Sequence, residues 1–545
     1  VVERKAYLVG SGIASLASAA YLLREGRFLG QDIIIFDEDM DVGGSLDGRG
    51  SSEKGYVLRG GRMLSFSTQC TYDLLSFIPS IKNPKKSVLD EIREFNEKLK
   101  SNFSVNSRGH SQCRLVKNGQ KLNPNILGFS YKDRFDLLEI MMKSEDSLGS
   151  RRIEDCFEKS FFSTNFWYMW ATLFAFQSWH SAIEFKRYLH RFIHEFSRLN
   201  LLAGVDRLPY NQYDSLVLPL VKWLKSKGVN FMMETEVTDF DFTQIGVQKS
   251  ISKLHYRRGE DTNSIDIAPA DFVFVTNGSV TASSSLGSMK TAPLLKSKKE
   301  SAAWTLWETL AVNHPEFGIP AVFDNRVDES KWLSFTVTLK DPEFFKLMEQ
   351  FTGESAGASG LITFADSNWL LTLMLAHQPY FINQPSGVNV FWGYGLFVDR
   401  PGNFVKRKMS ECTGEEIMIE LCSHLHFTLE LPKILKSSNC IPCMMPFVSS
   451  PFLTREKKDR PQVVPPTYLN LAFVGQYCEI PDDVVFTVDY SVRAAQTAVY
   501  KFLALDKAPP PVYVSHRDFK ALFDSLKTMF RADEKKPPEE HLGSP

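Results

Sequence analysis

The chain has 545 residues, too many for one hydrophobic core, so two or three packed domains are expected. Hydrophobic residues at 43%, charged residues at 23% and a net charge of −1 describe an ordinary globular protein without the basic surface that nucleic-acid binding asks for. Eight cysteines with one close pair, Cys440-Ile-Pro-Cys443, make neither a disulfide framework nor a zinc site, so reduced thiols and no metal are expected.

The chain opens Val-Val-Glu-Arg-Lys with no visible signal peptide, and a cytoplasmic protein is expected. Ala6 to Val9 is a short apolar strand, followed by Gly10-Ser11-Gly12-Ile13-Ala14-Ser15 and a helix carrying Leu16, Ala20, Leu22 and Leu23. Asp32 to Asp37 reads as the next strand. Strand, glycine turn, helix and strand form the first unit of a dinucleotide fold. Gly10 allows the tight turn, Gly12 lets backbone N–H groups approach a pyrophosphate, and Ala14 opens a helix whose N-terminus faces the negative charge. Ser15, at the third glycine position, is small enough to keep helix and strand close. Asp37 is placed to accept from a ribose hydroxyl, which favours FAD or NAD over NADP. A second glycine pair, Gly43-Gly44-Ser45, offers an approach to the pyrophosphate from the other side.

Residues 80–160 are charged and mixed, consistent with surface helices. The apolar stretch 161–185 is broken by Asn165, Gln177, His180 and Glu184 and reads as buried helices rather than a membrane span. His190 and His194 lack the glutamate of a zinc-protease helix and read as hydrogen-bonded or solvated histidines. Asp271 to Gly278, and Leu469 to Val474 with Gly475, look like returns to the first sheet. A helix from about Val488 to Leu503 follows Asp482-Asp483, and Asp483 is expected at a ribityl chain. After Pro509-Pro510-Pro511, Phe519, Leu522, Phe523, Leu526, Met529 and Phe530 share a face, so 515–531 is expected to form an amphipathic helix that packs on the body or rests on a membrane.

The expected fold is α/β. A discontinuous Rossmann-like FAD-binding domain is built from 1–70, 205–290 and 465–505. An inserted α+β substrate domain takes 71–204 and 291–464, and a C-terminal helical segment takes 506–545.

Several strings resemble the oleate hydratases, also called myosin-cross-reactive antigens. They include Gly10 to Ala17, Gly43 to Gly48, Tyr56-Val57-Leu58-Arg59-Gly60-Gly61-Arg62, Trp179 to Phe185, Tyr210-Asn211-Gln212-Tyr213, Val275-Thr276-Asn277-Gly278, Phe391 to Gly395 and Gly475 to Asp483, in the family's order. The resemblance implies an FAD that is not consumed and a reaction that adds water to a double bond of a long-chain unsaturated fatty acid. It also implies cofactor contacts at Arg59, Gly60, Gly61, Arg62, Val237, Thr276, Asn277 and Gly475, and admits a homodimer. In the family a Tyr protonates the alkene, and that position falls on Tyr188. The Glu that handles water falls on Met63. A polar cluster holds the fatty-acid carboxylate, and its Gln is kept as Gln212. Met374, Ala376 and Tyr380 stand where the family has Thr, Asn and His.

Met cannot do acid–base work. Three readings follow: a hydratase that handles water with other groups, with His377, Tyr380 and Glu479 as candidates; an isomerase or cyclase of a polyene that uses Tyr188 as acid without an activated water; or a lipid-binding flavoprotein without turnover. An ordinary flavin oxidase is the fold-level alternative.

Overall fold

The computed structural model describes residues 4–106, 114–123, 125–193, 195, 205–358, 360–514 and 527. The expected amphipathic helix over 515–531 therefore lies outside the described residues, apart from Lys527.

Short, largely buried apolar runs form four strands of a five-stranded parallel sheet, whose edge strand Asn230–Met232 is only partly buried. β1 (Ala6–Val9) is followed by helix α1 (Ile13–Glu25) and β2 (Ile33–Phe36). A strand further on, β3 (Gly55–Leu58), lies outside this sheet, and helix α2 (Ala182–Phe192) comes next. The sheet is completed by β4 (Asn230–Met232), β5 (Phe272–Thr276) and β6 (Leu471–Val474), before helix α3 (Val488–Phe502). Its order is β6-β5-β1-β2-β4. Strand order reverses between β1 and β5, where Val9 pairs with Val275, and a crevice opens at the carboxyl ends of strands at such a point. α1 is buried from Ile13 to Leu22 and packs against α3. The connection from β4 to β5 is an antiparallel meander of Glu236–Ile245, Gln248–Arg258 and Asp261–Asp266.

The second layer is an eight-stranded mixed sheet, in the order Ser285–Leu286, Ser438–Met445, Trp332–Leu339, Asn389–Gly395, Thr372–Met374, Leu361–Phe364, Leu115–Lys117, Gln120–Lys121. Its last two strands correct the expectation of surface helices throughout 80–160. Leu115 and Val116 are fully buried and pair in parallel with Leu361–Phe364, and the chain then turns at Asn118-Gly119, both at positive φ. Asn-Gly is the strongest short hairpin signal a sequence carries, but the strands beside it are too short to show a period.

β3 ties the two layers together. The Tyr56 N–H donates to Thr338 Oγ1 and the Leu58 N–H to Thr336 Oγ1, each at 2.9 Å. The strand thus crosses Trp332–Leu339 through side-chain hydroxyls and delivers Arg59 to Arg62 to the region between the sheets. The apolar stretch 161–185 forms two buried helices, Asn165–Phe174 and the start of α2. No helix among the described residues is long and apolar enough to cross a membrane. Cys440 and Cys443 are buried, unbridged thiols on Ser438–Met445, and no metal cluster occurs among the described residues.

Candidate active site

Three cavities meet around β3. The first encloses about 1010 Å³ at the switch point and is lined by Gly10, Gly12, Ala14, Asp37, Gly44, Ser45, Arg59, Val237, Thr276 and Gly475, among others. The N-terminus of α1 opens into it with no side-chain cap and no acidic residue in its first turn, which leaves its N–H groups for an anion. A Cβ added to Gly12 would meet nothing within 4 Å, so the space in front of this turn is open. Gly44 faces it from the other loop at φ +56°, where a Cβ would come within 3.2 Å of the Gly12 Cα. The two glycines let two backbones converge on one volume. Asp37 accepts from the N–H groups of Ser11 at 2.6 Å and Asp39 at 2.9 Å, which fixes its carboxylate at the end of β2. Arg59 donates to Asp47 Oδ1 at 3.0 Å and to the Gly44 carbonyl at 3.0 Å, bracing the second glycine loop.

Gly12→Val is expected to leave the fold intact, because the new side chain enters open space. It should abolish FAD uptake, read as loss of the flavin absorbance after reconstitution beside an unchanged circular dichroism spectrum. A yellow Gly12→Val protein would remove this crevice as the flavin site.

The second cavity encloses about 930 Å³ and is lined by Arg62, Met63, Phe174, Tyr188, Phe192, Glu195 and Phe486, among others. Tyr188 is only 1% exposed and is boxed by the rings of Phe174 and Phe176, both at 5.0 Å, and Phe452 at 5.5 Å. Burial, then the Glu184 carboxylate, raises its pKa well above the usual tyrosine value, against the Phe486 N–H and Arg62. The phenol therefore keeps its proton at physiological pH. Arg62 lies over the Phe486 ring at 5.0 Å and donates to the Gly61 carbonyl at 3.0 Å. It has no acidic partner among the described residues, and burial pulls its pKa down to about 10.

The third cavity encloses about 610 Å³ and shares Arg62 and Met63 with the second. Gln212, Met374, Ala376, His377 and Tyr380 line it together with Arg207. The expected head-group positions, distant in sequence, thus share one pocket. Met374 lies close over Gly61, where its Cε would be 3.6 Å from an added Cβ.

Known proteins place this arrangement. Residues 3–500 match the sequence profile described as MCRA family. The chain belongs to the MCRA family. It is 37% identical over 547 residues to an oleate hydratase of Streptococcus pyogenes serotype M49 (strain NZ131), covering 98% of this chain and 91% of that one. It is 32% identical to a linoleate hydratase of Lactiplantibacillus plantarum, covering 97% of this chain and 99% of that one. Among solved structures it is similar in fold to a putative protoporphyrinogen oxidase from Exiguobacterium sp. 255-15, with a TM-score of 0.52, 12% identity and coverage of 92% of this chain and 99% of that one.

Several residues expected at the MCRA cofactor stand elsewhere. Asp483 does not line the dinucleotide crevice: it is fully buried, and its carboxylate meets Arg493 at 2.8 Å and Arg191 at 3.4 Å. Asn277 turns its amide to the Tyr477 carbonyl at 3.1 Å. Ser15 and Gly43 stand behind the crevice, Ser15 against Thr276 Oγ1 at 3.2 Å and Gly43 on the Ser11 carbonyl at 3.1 Å. Gly60 gives its carbonyl to Gln212, while Gly61 and Arg62 line the second cavity. Gln212 itself directs its amide N–H groups to the carbonyls of Gly60 at 2.6 Å and Asp47 at 3.5 Å, away from a ligand. Glu479, a candidate for water, lines none of these cavities. Its carboxylate is held by Arg187 at 3.0 Å and Arg455 at 2.8 Å. His190 makes a contact of 3.1 Å with the Met141 carbonyl, and His194 lies outside the described residues.

Glu195 and Arg207 are among the lining residues that the sequence reading did not name. Glu195 follows Tyr188 and Phe192 at the i, i+4, i+7 spacing of one helix face, a signal present in the sequence. Arg207 carries no local signal.

Proposed function

We propose that the protein is an FAD-dependent, non-redox hydratase that adds water across a carbon–carbon double bond of a long-chain unsaturated fatty acid. The observation that carries this reading is the convergence of Tyr188, Arg62 and Glu195 on one apolar cavity, two residues along the chain from the dinucleotide crevice at Arg59. The fold and the two hydratase relatives support it.

The crevice fits FAD. The uncapped N-terminus of α1 and the Gly12 and Gly44 backbones would hold the pyrophosphate, and Asp37 a ribose. A bound flavin would supply a planar aromatic surface and fixed charge without being consumed.

An isolated alkene needs a proton at one carbon and an oxygen nucleophile at the other. Tyr188 delivers its hydroxyl proton to the first carbon. The phenolate that develops is stabilised by the Arg62 guanidinium and the Phe486 N–H, the two groups that already oppose its raised pKa. Water forms the C–O bond at the second carbon and passes its proton to Glu195, which takes the part the family gives to the residue at position 63. Proton return from Glu195 to Tyr188 through solvent closes the cycle. Met63, a thioether at the junction of the two lipid cavities, packs the chain and excludes water from all but one approach.

The replacement of the family's Glu by Met63 favours a second reading, in which Tyr188 protonates a polyene and the cation loses another proton, giving a shifted double bond or a ring. Incubation of the FAD-loaded protein with oleate, linoleate and a conjugated polyene in heavy-oxygen water decides between them. Hydration predicts a hydroxy acid carrying the labelled oxygen. A product of unchanged mass supports isomerisation or cyclisation, and tight binding with no product leaves a lipid-binding flavoprotein.

A further inference from the structure

The third cavity has an imbalance of charge that the family's head-group chemistry does not account for. Its wall carries two guanidinium groups, Arg62 and Arg207, and no carboxylate. The other polar residues on the wall offer an anion little. Gln212 has turned its amide N–H groups to backbone carbonyls. Burial, then Lys82, pushes the His377 pKa below its usual value, so the ring is neutral. Met374 and Ala376 are apolar, and Tyr380 has a single hydroxyl.

Arg207 is built into place. Asn96 grips its backbone from both sides, accepting from the N–H at 2.9 Å and donating to the carbonyl at 2.8 Å. Its Nη2 donates to the Ala358 carbonyl at 3.0 Å. No acidic partner meets it within salt-bridge distance among the described residues. The nearest opposing charge is the Glu354 carboxylate, which acts on Arg207 from a distance without pairing with it, and burial still outweighs it and lowers the Arg207 pKa. A buried guanidinium without a paired counter-ion is expensive, because its lost hydration is not replaced. Arg62 is in the same state but lies over Phe486, on the Tyr188 side of the junction. Glu195 lines that end of the site, whereas the wall around Arg207 carries no carboxylate, so the unpaired guanidinium that faces the third cavity is that of Arg207.

We propose that Arg207 is the counter-ion of the substrate's carboxylate, taking over the head-group role of the polar cluster that Met374 and Ala376 no longer provide. The inference rests on the fatty-acid reading of the site, in which the head-group positions line the third cavity, and adds the residue that carries the opposing charge there. The guanidinium pairs with the carboxylate through two parallel N–H···O bonds, the apolar wall receives the first methylenes, and the double bond is set beyond the Arg62–Met63 junction under Tyr188. A fork of donors does for a carboxylate what three separate polar side chains do elsewhere in the family.

The test is a comparison of ligands that differ only in the head group. Oleate and methyl oleate are titrated into the FAD-loaded parent, Arg207→Gln and Arg207→Lys, with binding read by isothermal titration calorimetry and kcat/KM read from product. The parent should prefer oleate to its ester. Arg207→Gln should weaken oleate about 10- to 100-fold, the range of a charged hydrogen-bonded pair, and leave the ester unchanged, so that the preference disappears. Arg207→Lys should keep part of it. FAD content and melting temperature report on folding. An unchanged acid-to-ester ratio in Arg207→Gln overturns the assignment, as does a parent that binds acid and ester equally. A parent that binds neither overturns the fatty-acid reading itself, and the assignment with it.

Discussion

Tyr188→Phe is expected to lower kcat for fatty-acid hydration by about 100- to 10,000-fold, the usual contribution of a positioned general acid. The reason is geometric and electrostatic. The side chain is enclosed by Phe174, Phe176 and Phe452, so the variant loses one oxygen without opening a gap large enough for a substitute donor. The hydroxyl is held protonated by burial, and it is the Arg62 guanidinium and the Phe486 N–H that make it able to release the proton as charge develops. Binding is expected to persist, since the ring contacts remain. Single-turnover product formation, with substrate affinity measured in parallel, checks the prediction. A variant that turns over at the parent's rate removes Tyr188 from the chemistry.

Glu195→Gln carries the next largest expected effect, a loss of about 100-fold or more in kcat, because the amide cannot accept the proton of the attacking water. Glu195 shares its cavity with both Tyr188 and Met63. This makes a second variant informative: Met63→Glu places a carboxylate in the same cavity, and Met63→Glu in the Glu195→Gln background should recover part of the lost rate. If water is instead handled elsewhere, Glu195→Gln retains its rate and Met63→Glu alone produces the gain. Oxygen-label incorporation distinguishes recovered hydration from isomerisation in each variant.

The two ion-pair networks that engage Asp483 and Glu479 explain how α2 is held. Glu184, Arg187 and Arg191 lie on the helix that carries Tyr188. Glu184 meets Arg455 at 3.0 Å, Arg187 meets Glu479 at 3.0 Å, and Arg191 meets Asp489 at 3.3 Å. Buried ion pairs contribute little net stability, but breaking one partner costs about 3–5 kcal/mol, so they fix one arrangement of α2 over others. Their function here is orientation: they hold the Tyr188 helix against the chain on both sides of β6, at Arg455 and Glu479, and against the start of α3.

Much of the nucleotide-binding half was legible because its signals are local. The apolar runs of β1, β2, β5 and β6, the glycines at 10, 12 and 44, and Asp37 each act within a few residues of themselves. The Leu115–Lys121 hairpin went unread because its strands are two and three residues long and take their burial from Leu361–Phe364, far along the chain. The surroundings of Asp483 were illegible for a related reason. An acid before a helix fits a ribityl contact, and only the approach of Arg191 from α2 and Arg493 from α3 shows that its charge is already compensated.

By itself the sequence determined a dinucleotide fold, its glycine cradle and membership of a family, since turns and strands are set by neighbours in the chain. It also determined that a thioether, Met63, directly follows the Arg59 to Arg62 string. The tertiary structure decided which charges are compensated and which face the lipid. Arg62, Tyr188, Glu195, Arg207 and Met374 come from segments that meet only because β3 crosses the second sheet on the hydroxyls of Thr336 and Thr338. A guanidinium's worth depends on the low-dielectric surroundings and counter-charges that packing places around it, and those surroundings are assembled from residues far apart in the chain.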